Sequence, residues 1–238
     1  SKPDIVMITT KLAPAFAALL LLAVPHPALG QKQKDDTPPT AFGDNAETDE
    51  DAAAAPAFRT YAPINYDAAV DPDNVWVLDL SNGERIKVRL QADWAPSHVE
   101  RIKTLTRSGF YNGVVFHRVI DGFMAQGGDP TGTGQGGSEL PDLKAEFNPM
   151  PHVRGTLSMA RAADDDSANS QFFIVFYPRY SLDKKYTNFG RVIENMEAVD
   201  AINRGEPPAS PTYILQASIA SDNLPPPRAT PVQDLSLI

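Results

Sequence analysis

The sequence predicts a mainly β fold, a closed eight-stranded antiparallel β-barrel capped by two α-helices. Short apolar segments bounded by turn residues recur along the chain, which is typical of strands. Only two segments show helical spacing, so a sheet of alternating strands and helices is not expected. Closing the sheet into a barrel would also remove its exposed edges.

The clearest strands form a predicted hairpin. Residues 75–80 and 85–90 are apolar or alternating, and the turn Ser81-Asn82-Gly83 joins them. The second arm alternates charged and apolar residues, as expected of a half-buried strand. The other strands are predicted at residues 114–119, 123–126, 156–160, 171–176, 189–193 and 213–219.

Two helices complete the predicted fold. The first has Pro96 in its first turn, apolar residues at helical spacing and Gly109 as its terminator. The second runs from Met196 to about Asn203 and is followed by Gly205.

The chain divides into five predicted regions. Residues 1–30 are a signal peptide, 31–56 a disordered acidic linker rich in proline and alanine, and 57–73 an extended strap. A folded domain spans residues 74–222, and a proline-rich tail covers 223–238.

The predicted signal peptide consists of Lys11, an apolar run over residues 12–24 and the small-residue end Ala28-Leu29-Gly30. The run is shorter than the roughly 20 residues needed to span a bilayer. We expect translation to start at Met7, cleavage after Gly30 and release into a periplasm without stable membrane insertion. The alternatives are an uncleaved anchor and a eukaryotic secretory lumen.

Composition narrows the possible functions. The formal net charge of −9 argues against a nucleic-acid partner, which requires a basic surface. The chain has no cysteine, so disulfides and thiol nucleophiles are excluded, and its four histidines lack metal-ligand spacing. We therefore expect neither a metal nor another cofactor, and we expect a monomer.

The most informative stretch is residues 116–129, in which Arg118 lies on an apolar strand just before Phe123, Met124 and Gln126. An arginine among large hydrophobic residues is costly to bury unless its donors have a role. Alternation along strands predicts that His117 faces away from Arg118. By the same argument, Phe172 is a core residue and Phe173 a pocket residue.

These segments resemble the prolyl-pocket strands of the cyclophilins, a family of peptidyl-prolyl cis/trans isomerases. The resemblance extends over residues 75–219 and includes Ser170-Gln171-Phe172-Phe173-Ile174 and Gly155-Thr156-Leu157-Ser158-Met159-Ala160. It implies a cyclophilin-like barrel that accelerates rotation about X-Pro bonds in folding or unfolded exported proteins. The implied partners are proline-containing peptide segments.

The resemblance also implies roles for individual residues. Arg118 matches the catalytic arginine, whose proton would stabilise the deconjugated prolyl nitrogen of the twisted state. Such chemistry breaks no covalent bond and needs no general base. The matching substrate-binding positions are Phe123, Met124, Gln126, Ala160, Arg161, Gln171, Phe173, Leu182, Tyr186 and His117.

Three positions depart from the form common in the family. Arg161 stands where many members have asparagine, and Tyr186 stands where a histidine is common, as in bacterial members. Ser181 aligns with the tryptophan associated with tight cyclosporin binding, so weak cyclosporin affinity is expected.

Several alternatives remain at the level of sequence. The run 132–137 could bind phosphate, but it lacks a P-loop lysine, and a glycine-rich barrel loop is favoured. The triplet Asp164-Asp165-Asp166 could bind calcium, but its donors are not spaced for an oxygen-ligand loop. A proline-peptide binding module and an envelope scaffold are the alternatives to an enzyme.

Overall fold

The computed structural model describes residues 61–227. The predicted signal peptide, the acidic linker, the first residues of the strap and the end of the proline-rich tail lie outside these residues.

The described part of the chain is built on one eight-stranded antiparallel sheet with the order β3-β4-β6-β5-β7-β2-β1-β8. Two α-helices and three short 3-10 helices accompany it. The strands are β1 (Val75–Leu80), β2 (Arg85–Leu90), β3 (Arg118–Ile120), β4 (Met124–Gly127), β5 (Thr156–Met159), β6 (Phe172–Val175), β7 (Asn188–Glu194) and β8 (Ile214–Ile219). The helices are α1 (Pro96–Arg107) and α2 (Met196–Asp200), and the 3-10 helices are Pro72–Asn74, Tyr180–Leu182 and Ala220–Asp222.

The predicted mainly β fold with two helices is confirmed, but the predicted closure of the barrel is wrong. The sheet is open and curls into a half-barrel, with β3 and β8 at its two ends. The predicted strand over residues 114–119 is reduced to the three-residue β3, which is too short to pair along β8. The backbone just before β3 pairs near the start of β8: Gly113 and Val114 form backbone hydrogen bonds with Ile214 at 2.7 and 2.9 Å, and Val115 forms a bridge with Tyr213.

The first hairpin forms as predicted, and the alternation in β2 has one informative exception. Ile86 and Val88 are buried in the main core. Arg89 is also buried, and its guanidinium donates to the backbone carbonyls of Asn65, Asp67 and Asp71 at 3.1, 2.6 and 2.9 Å. These bonds satisfy the buried charge and attach residues 65–71 to the sheet.

The helices differ in how well their lengths were predicted. Helix α1 begins at Pro96 and ends just before Gly109, as predicted. Helix α2 is shorter than predicted and ends at Asp200 instead of near Asn203. Arg204 donates to the carbonyl oxygens of Asp200 and Ile202, so these carbonyls are satisfied without a further helical turn.

The sheet has an apolar cluster on each face. The main core contains an aromatic group in which the Phe172 ring lies 5.0 Å from Trp76 and 5.9 Å from Tyr111, both edge to face. The second cluster contains Phe173 and Val175, which alternate with core residues along β6. The structure thus places Phe172 in the core and Phe173 on the opposite face, as alternation predicts.

The longest helix in residues 61–227 has 12 residues, and no helix there is long and apolar enough to cross a membrane. The same residues contain no group of three or more histidine or acidic side chains placed to hold a metal ion.

We expect Phe172→Ala to destabilise the domain by about 3–5 kcal/mol, because it removes a ring that is fully buried among Trp76 and Tyr111. Chemical denaturation measures the loss. The matched variant Leu215→Ala, at a residue 40% exposed on β8, should change the free energy of unfolding by less than about 1 kcal/mol. Equal losses in the two variants would contradict this assignment of the core.

Candidate active site

Strand register aligns four side chains across the second face of the sheet. Arg118 of β3 pairs with Gln126 of β4, Gln126 pairs with Phe173 of β6, and Phe173 pairs with Ser158 of β5. Directly paired residues of an antiparallel sheet point to the same face. The register therefore forms a row that begins with a cation and an amide and continues with an aromatic ring and a hydroxyl.

Arg118, Gln126 and Phe173 of this row border a cavity of about 690 Å³, a size suited to a small ligand or a peptide segment. Ten of the eleven predicted site residues line it. They are His117, Arg118, Phe123, Met124, Gln126, Ala160, Arg161, Phe173, Leu182 and Tyr186. The eleventh, Gln171, lies in an adjoining cavity of about 530 Å³ that also contacts Gln126, Ala160 and Arg161.

The apolar part of the cavity is built by the second cluster. Met124 and Phe173 are almost fully buried, and Phe123, Leu182 and Tyr186 pack against them with partial exposure. The Tyr186 ring stands edge-on to Phe173, with 5.6 Å between the ring centres. The result is an apolar wall along one side of the cavity.

A buried histidine with two polar partners packs against the Phe173 ring. The His152 ring stacks on Phe173 at 6.5 Å, and its two nitrogens lie 2.8 Å from Asp183 Oδ1 and 2.7 Å from Ser158 Oγ. Burial lowers the pKa of His152, although Asp183 opposes the shift. The trio has the order of a hydrolase triad, but Ser158 is fully buried, so it is placed to support Phe173 and not to attack a substrate.

The amide of Gln126 is oriented by its neighbour. Gln171 Nε2 donates to the carbonyl oxygens of Gly134 and Gly136 at 3.1 and 2.8 Å, so Gln171 Oε1 is left to accept from Gln126 Nε2 at 3.0 Å. An amide nitrogen carries two hydrogens. Gln126 therefore keeps one N–H for a carbonyl that enters the cavity.

One side of the cavity is formed by the glycine-rich loop at residues 132–135, which sequence reasoning did not assign to the site. The buried Asp129 carboxylate accepts the backbone N–H groups of Thr133, Gly134 and Gly136 at 3.1, 2.6 and 3.1 Å. Because these N–H groups are already occupied, the loop does not present them to a phosphate. This geometry agrees with the prediction of a barrel loop.

His117 lies beneath this loop. The ring is buried, and a side chain at Gly134 would come within 3.4 Å of its Cδ2 and Nε2 atoms. Burial lowers the pKa of His117, which favours the neutral ring. Neither of its nitrogens has a hydrogen-bond partner among residues 61–227. A buried, neutral ring without polar partners among these residues is suited to packing beneath the loop.

The charged guanidinium of Arg161 is bound by other groups of the protein. Its guanidinium lies 5.0 Å from the centre of the Tyr186 ring, donates to the carbonyl oxygen of Lys185 and pairs with Asp165 at 2.8 Å. The side chain therefore fastens the acidic loop to the wall that carries Tyr186. Asp165 of the acidic triplet is engaged in this contact.

Arg118 is the charged residue of the row, and 44% of its side chain is exposed. Its Nε donates to Glu206 Oε2 at 2.8 Å. The two terminal nitrogens of the guanidinium have no hydrogen-bond partner within the described residues, and they remain available to a ligand. Glu206 and Pro207 line the same cavity, and no sequence signal pointed to either of them.

The sequence model of the family described as "Cyclophilin type peptidyl-prolyl cis-trans isomerase/CLD" matches residues 77–219, which is more than half of the chain. This protein is a cyclophilin. It belongs to the cyclophilin-type peptidyl-prolyl cis/trans isomerases, and the resemblance inferred from the sequence is confirmed.

Individual relatives agree with this membership. The "Probable peptidyl-prolyl cis-trans isomerase" of Brucella suis is 43% identical over 187 residues, covering 72% of this cyclophilin and 95% of the relative. "Peptidyl-prolyl cis-trans isomerase B" of Bacillus subtilis is 41% identical over 128 residues, which is 53% of this chain and 89% of the relative.

Solved structures give the same result for the fold. Cyclophilin AquaCyp293 from Hirschia baltica superposes with a TM-score of 0.60 at 30% identity, over 66% of this chain and 77% of that one. A cyclophilin-type isomerase of Cryptosporidium parvum, crystallised in the presence of the dipeptide Ala-Pro, gives a TM-score of 0.57 at 30% identity. That match covers 61% of this chain and 98% of the other.

We expect Asp129→Asn to loosen the glycine-rich loop, because an amide cannot accept all the N–H groups that the carboxylate collects. Burial alone would raise the pKa of Asp129, but hydrogen bonds from Thr131, Gly136 and Gly134 outweigh it and lower the pKa from 3.8 to about 2. The stabilisation by Asp129 is therefore present above about pH 4 and is lost as the pH falls towards 2.

Denaturation at several pH values measures this effect. The variant should be less stable by about 1–3 kcal/mol at neutral pH, and its stability should fall less steeply between pH 4 and 2 than that of the wild type. The control is Asp93→Asn, at an exposed residue. Parallel pH curves for wild type and Asp129→Asn would exclude this role for the carboxylate.

Proposed function

We propose that this isomerase accelerates X-Pro rotation in folding or unfolded exported proteins, and that Arg118 is its catalytic residue. The peptide bond before proline rotates slowly because of its partial double-bond character, with a barrier of about 18–20 kcal/mol. At the top of the barrier the prolyl nitrogen is pyramidal and carries a lone pair. A donor directed at that lone pair stabilises the twisted state more than the planar states.

Arg118 is suited to this role on chemical grounds. Guanidinium keeps its proton at every relevant pH and donates in fixed directions. Its terminal nitrogens have no acceptor in the described part of the chain, while its Nε is already held by Glu206. The observation that carries the proposal is the row of Arg118, Gln126 and Phe173 on one face of the sheet, beside the 690 Å³ cavity.

The other site residues have complementary roles in this proposal. The apolar residues Phe123, Met124, Phe173 and Leu182 hold the pyrrolidine ring while the preceding carbonyl swings. Gln126 binds a substrate carbonyl through its free N–H, and Gln171 orients it. The remaining groove residues Ala160, Arg161, Tyr186 and His117 shape the walls. The crystal structure of the Cryptosporidium relative in the presence of the dipeptide Ala-Pro supports proline-containing segments as substrates.

We expect Arg118→Ala to keep the fold and to lose most of the isomerase activity, by about 2–4 kcal/mol of barrier lowering, as when an oxyanion-hole donor is removed. The assay follows isomerisation of an Ala-Pro or Phe-Pro tetrapeptide by the purified protein. Arg154→Ala is the matched control, because Arg154 is similarly exposed but pairs with Asp200 outside the cavity. A fully active Arg118→Ala variant would remove this residue from the mechanism, and an inactive wild type would favour a proline-peptide binding module.

The proposed location is a bacterial periplasm, and it is supported by the apolar run 12–24 with its small-residue end. We propose further that the mature protein is a monomer. In a bacterial host, the full chain should be recovered in the periplasmic fraction with its amino terminus near Gln31, because signal peptidase cleaves after small residues. Amino-terminal sequencing measures this. A product that keeps residues 19–22, or one found only in the cytosol, would contradict the proposal.

A further inference from the structure

Glu206 lies on the wall of the cavity and contacts the guanidinium of Arg118, 88 residues away in sequence. We propose that Glu206 is a positioning residue for the isomerase reaction: it holds the guanidinium of Arg118 by its Nε and leaves the terminal nitrogens for the prolyl bond. This inference rests on the catalytic role proposed for Arg118.

Arg118 needs such a partner because its side chain is long and exposed. Arginine has several rotatable bonds and loses much rotamer freedom when it is fixed in one orientation. A donor that acts only in the transition state is most effective when its orientation is set before the reaction. Packing on the sheet leaves 44% of the side chain exposed, so a further contact is needed to set that orientation.

The form of the contact favours positioning. Glu206 Oε2 lies 2.8 Å from Nε of Arg118, and the carboxylate makes no hydrogen bond to either terminal nitrogen. A carboxylate that blocked the guanidinium would be expected to bind it in a two-point fork. Here one edge of the guanidinium is anchored, and the donors at its end remain unengaged by residues 61–227.

The backbone that carries Glu206 is itself fixed to the backbone beside Arg118. Gly205 and Val119 exchange two backbone hydrogen bonds of 2.8 and 2.9 Å. A side chain at Gly205 would come within 2.5 Å of the Pro208 Cα, so the close turn there requires glycine. Arg204 adds to this attachment, because its guanidinium lies 4.1 Å from the centre of the Phe176 ring and contacts Asp121.

The two partners of the ion pair therefore extend from adjacent and mutually bonded segments. This arrangement sets the separation of Arg118 and Glu206 before a substrate enters.

The test is steady-state isomerase kinetics of the full-length protein with Glu206→Ala and Glu206→Gln. We expect kcat to fall about three- to ten-fold in Glu206→Ala with little change in KM, because the lost orientation acts on the transition state. Glu206→Gln keeps an acceptor for Nε but loses the charge, so its loss should be smaller. The matched control is Glu194→Gln, which breaks an exposed pair with Lys87 of 2.9 Å outside the cavity and should leave kcat unchanged.

A double-mutant cycle separates this inference from the proposed function. In an Arg118→Ala background, Glu206→Ala should cause no further loss. A fully active Arg118→Ala variant would refute the catalytic role proposed for Arg118, on which this inference rests. If Arg118→Ala is slow but Glu206→Ala is as fast as wild type, the positioning role of Glu206 alone is overturned. If Glu206→Ala is faster than wild type, the positioning role is also overturned, and the carboxylate inhibits the reaction.

The salt dependence of kcat provides a second readout, which compares the wild type with Glu206→Gln. Exposed ion pairs are screened, so raising sodium chloride to about 1 M should lower the wild-type kcat towards that of Glu206→Gln while the variant changes little. An identical salt response in wild type and Glu206→Gln would also count against the inference. Thermal melting of each variant should show that the fold is retained.

Discussion

The site depends on the register between β3, β4 and β6. Pairing of Arg118 with Gln126 and of Gln126 with Phe173 puts a cation, an amide and an aromatic ring in one line on one face of the sheet. A shift of one residue would send these side chains into the core and bring Phe172 to the surface. The aromatic packing of Phe172 on the opposite face opposes such a shift, so the main core sets the geometry of the cavity.

The polar groups around the cavity are largely engaged with one another. Asp129 accepts hydrogen bonds from the glycine-rich loop, and the guanidinium of Arg161 lies against the Tyr186 ring. The His152 ring, held by Asp183, stacks on Phe173. This arrangement suits a reaction in which no covalent bond breaks, because catalysis then requires directed donors and a rigid apolar wall instead of groups that change protonation.

The open sheet affects the site directly. Since β3 has only three residues and does not pair along β8, the segment around Gly205 can approach it and form two backbone hydrogen bonds with Val119. The same segment brings Glu206 to Arg118. A fully paired strand at this position would occupy the backbone groups of Val119 and leave no place for the carboxylate.

Local pattern accounts for the features that the sequence determined by itself. The hairpin of β1 and β2, helix α1, and the placement of Phe172 and Phe173 on opposite faces follow from alternation and turn residues within short windows. The family resemblance predicted the pocket residues because each of them lies within a short, continuous sequence motif. Ten of these residues line one cavity, and Gln171 borders the next.

Only the tertiary structure decided the open sheet, the early end of α2, the support of Phe173 by His152 and the contact between Glu206 and Arg118. The open sheet, the support of Phe173 and the contact of Glu206 depend on groups that are distant in sequence. The end of α2 depends on which carbonyl oxygens accept hydrogen bonds from Arg204. An isolated glutamate in a proline-rich turn carries no periodic signal. Its partner is fixed by how β3 and the chain before β8 approach each other when the core packs.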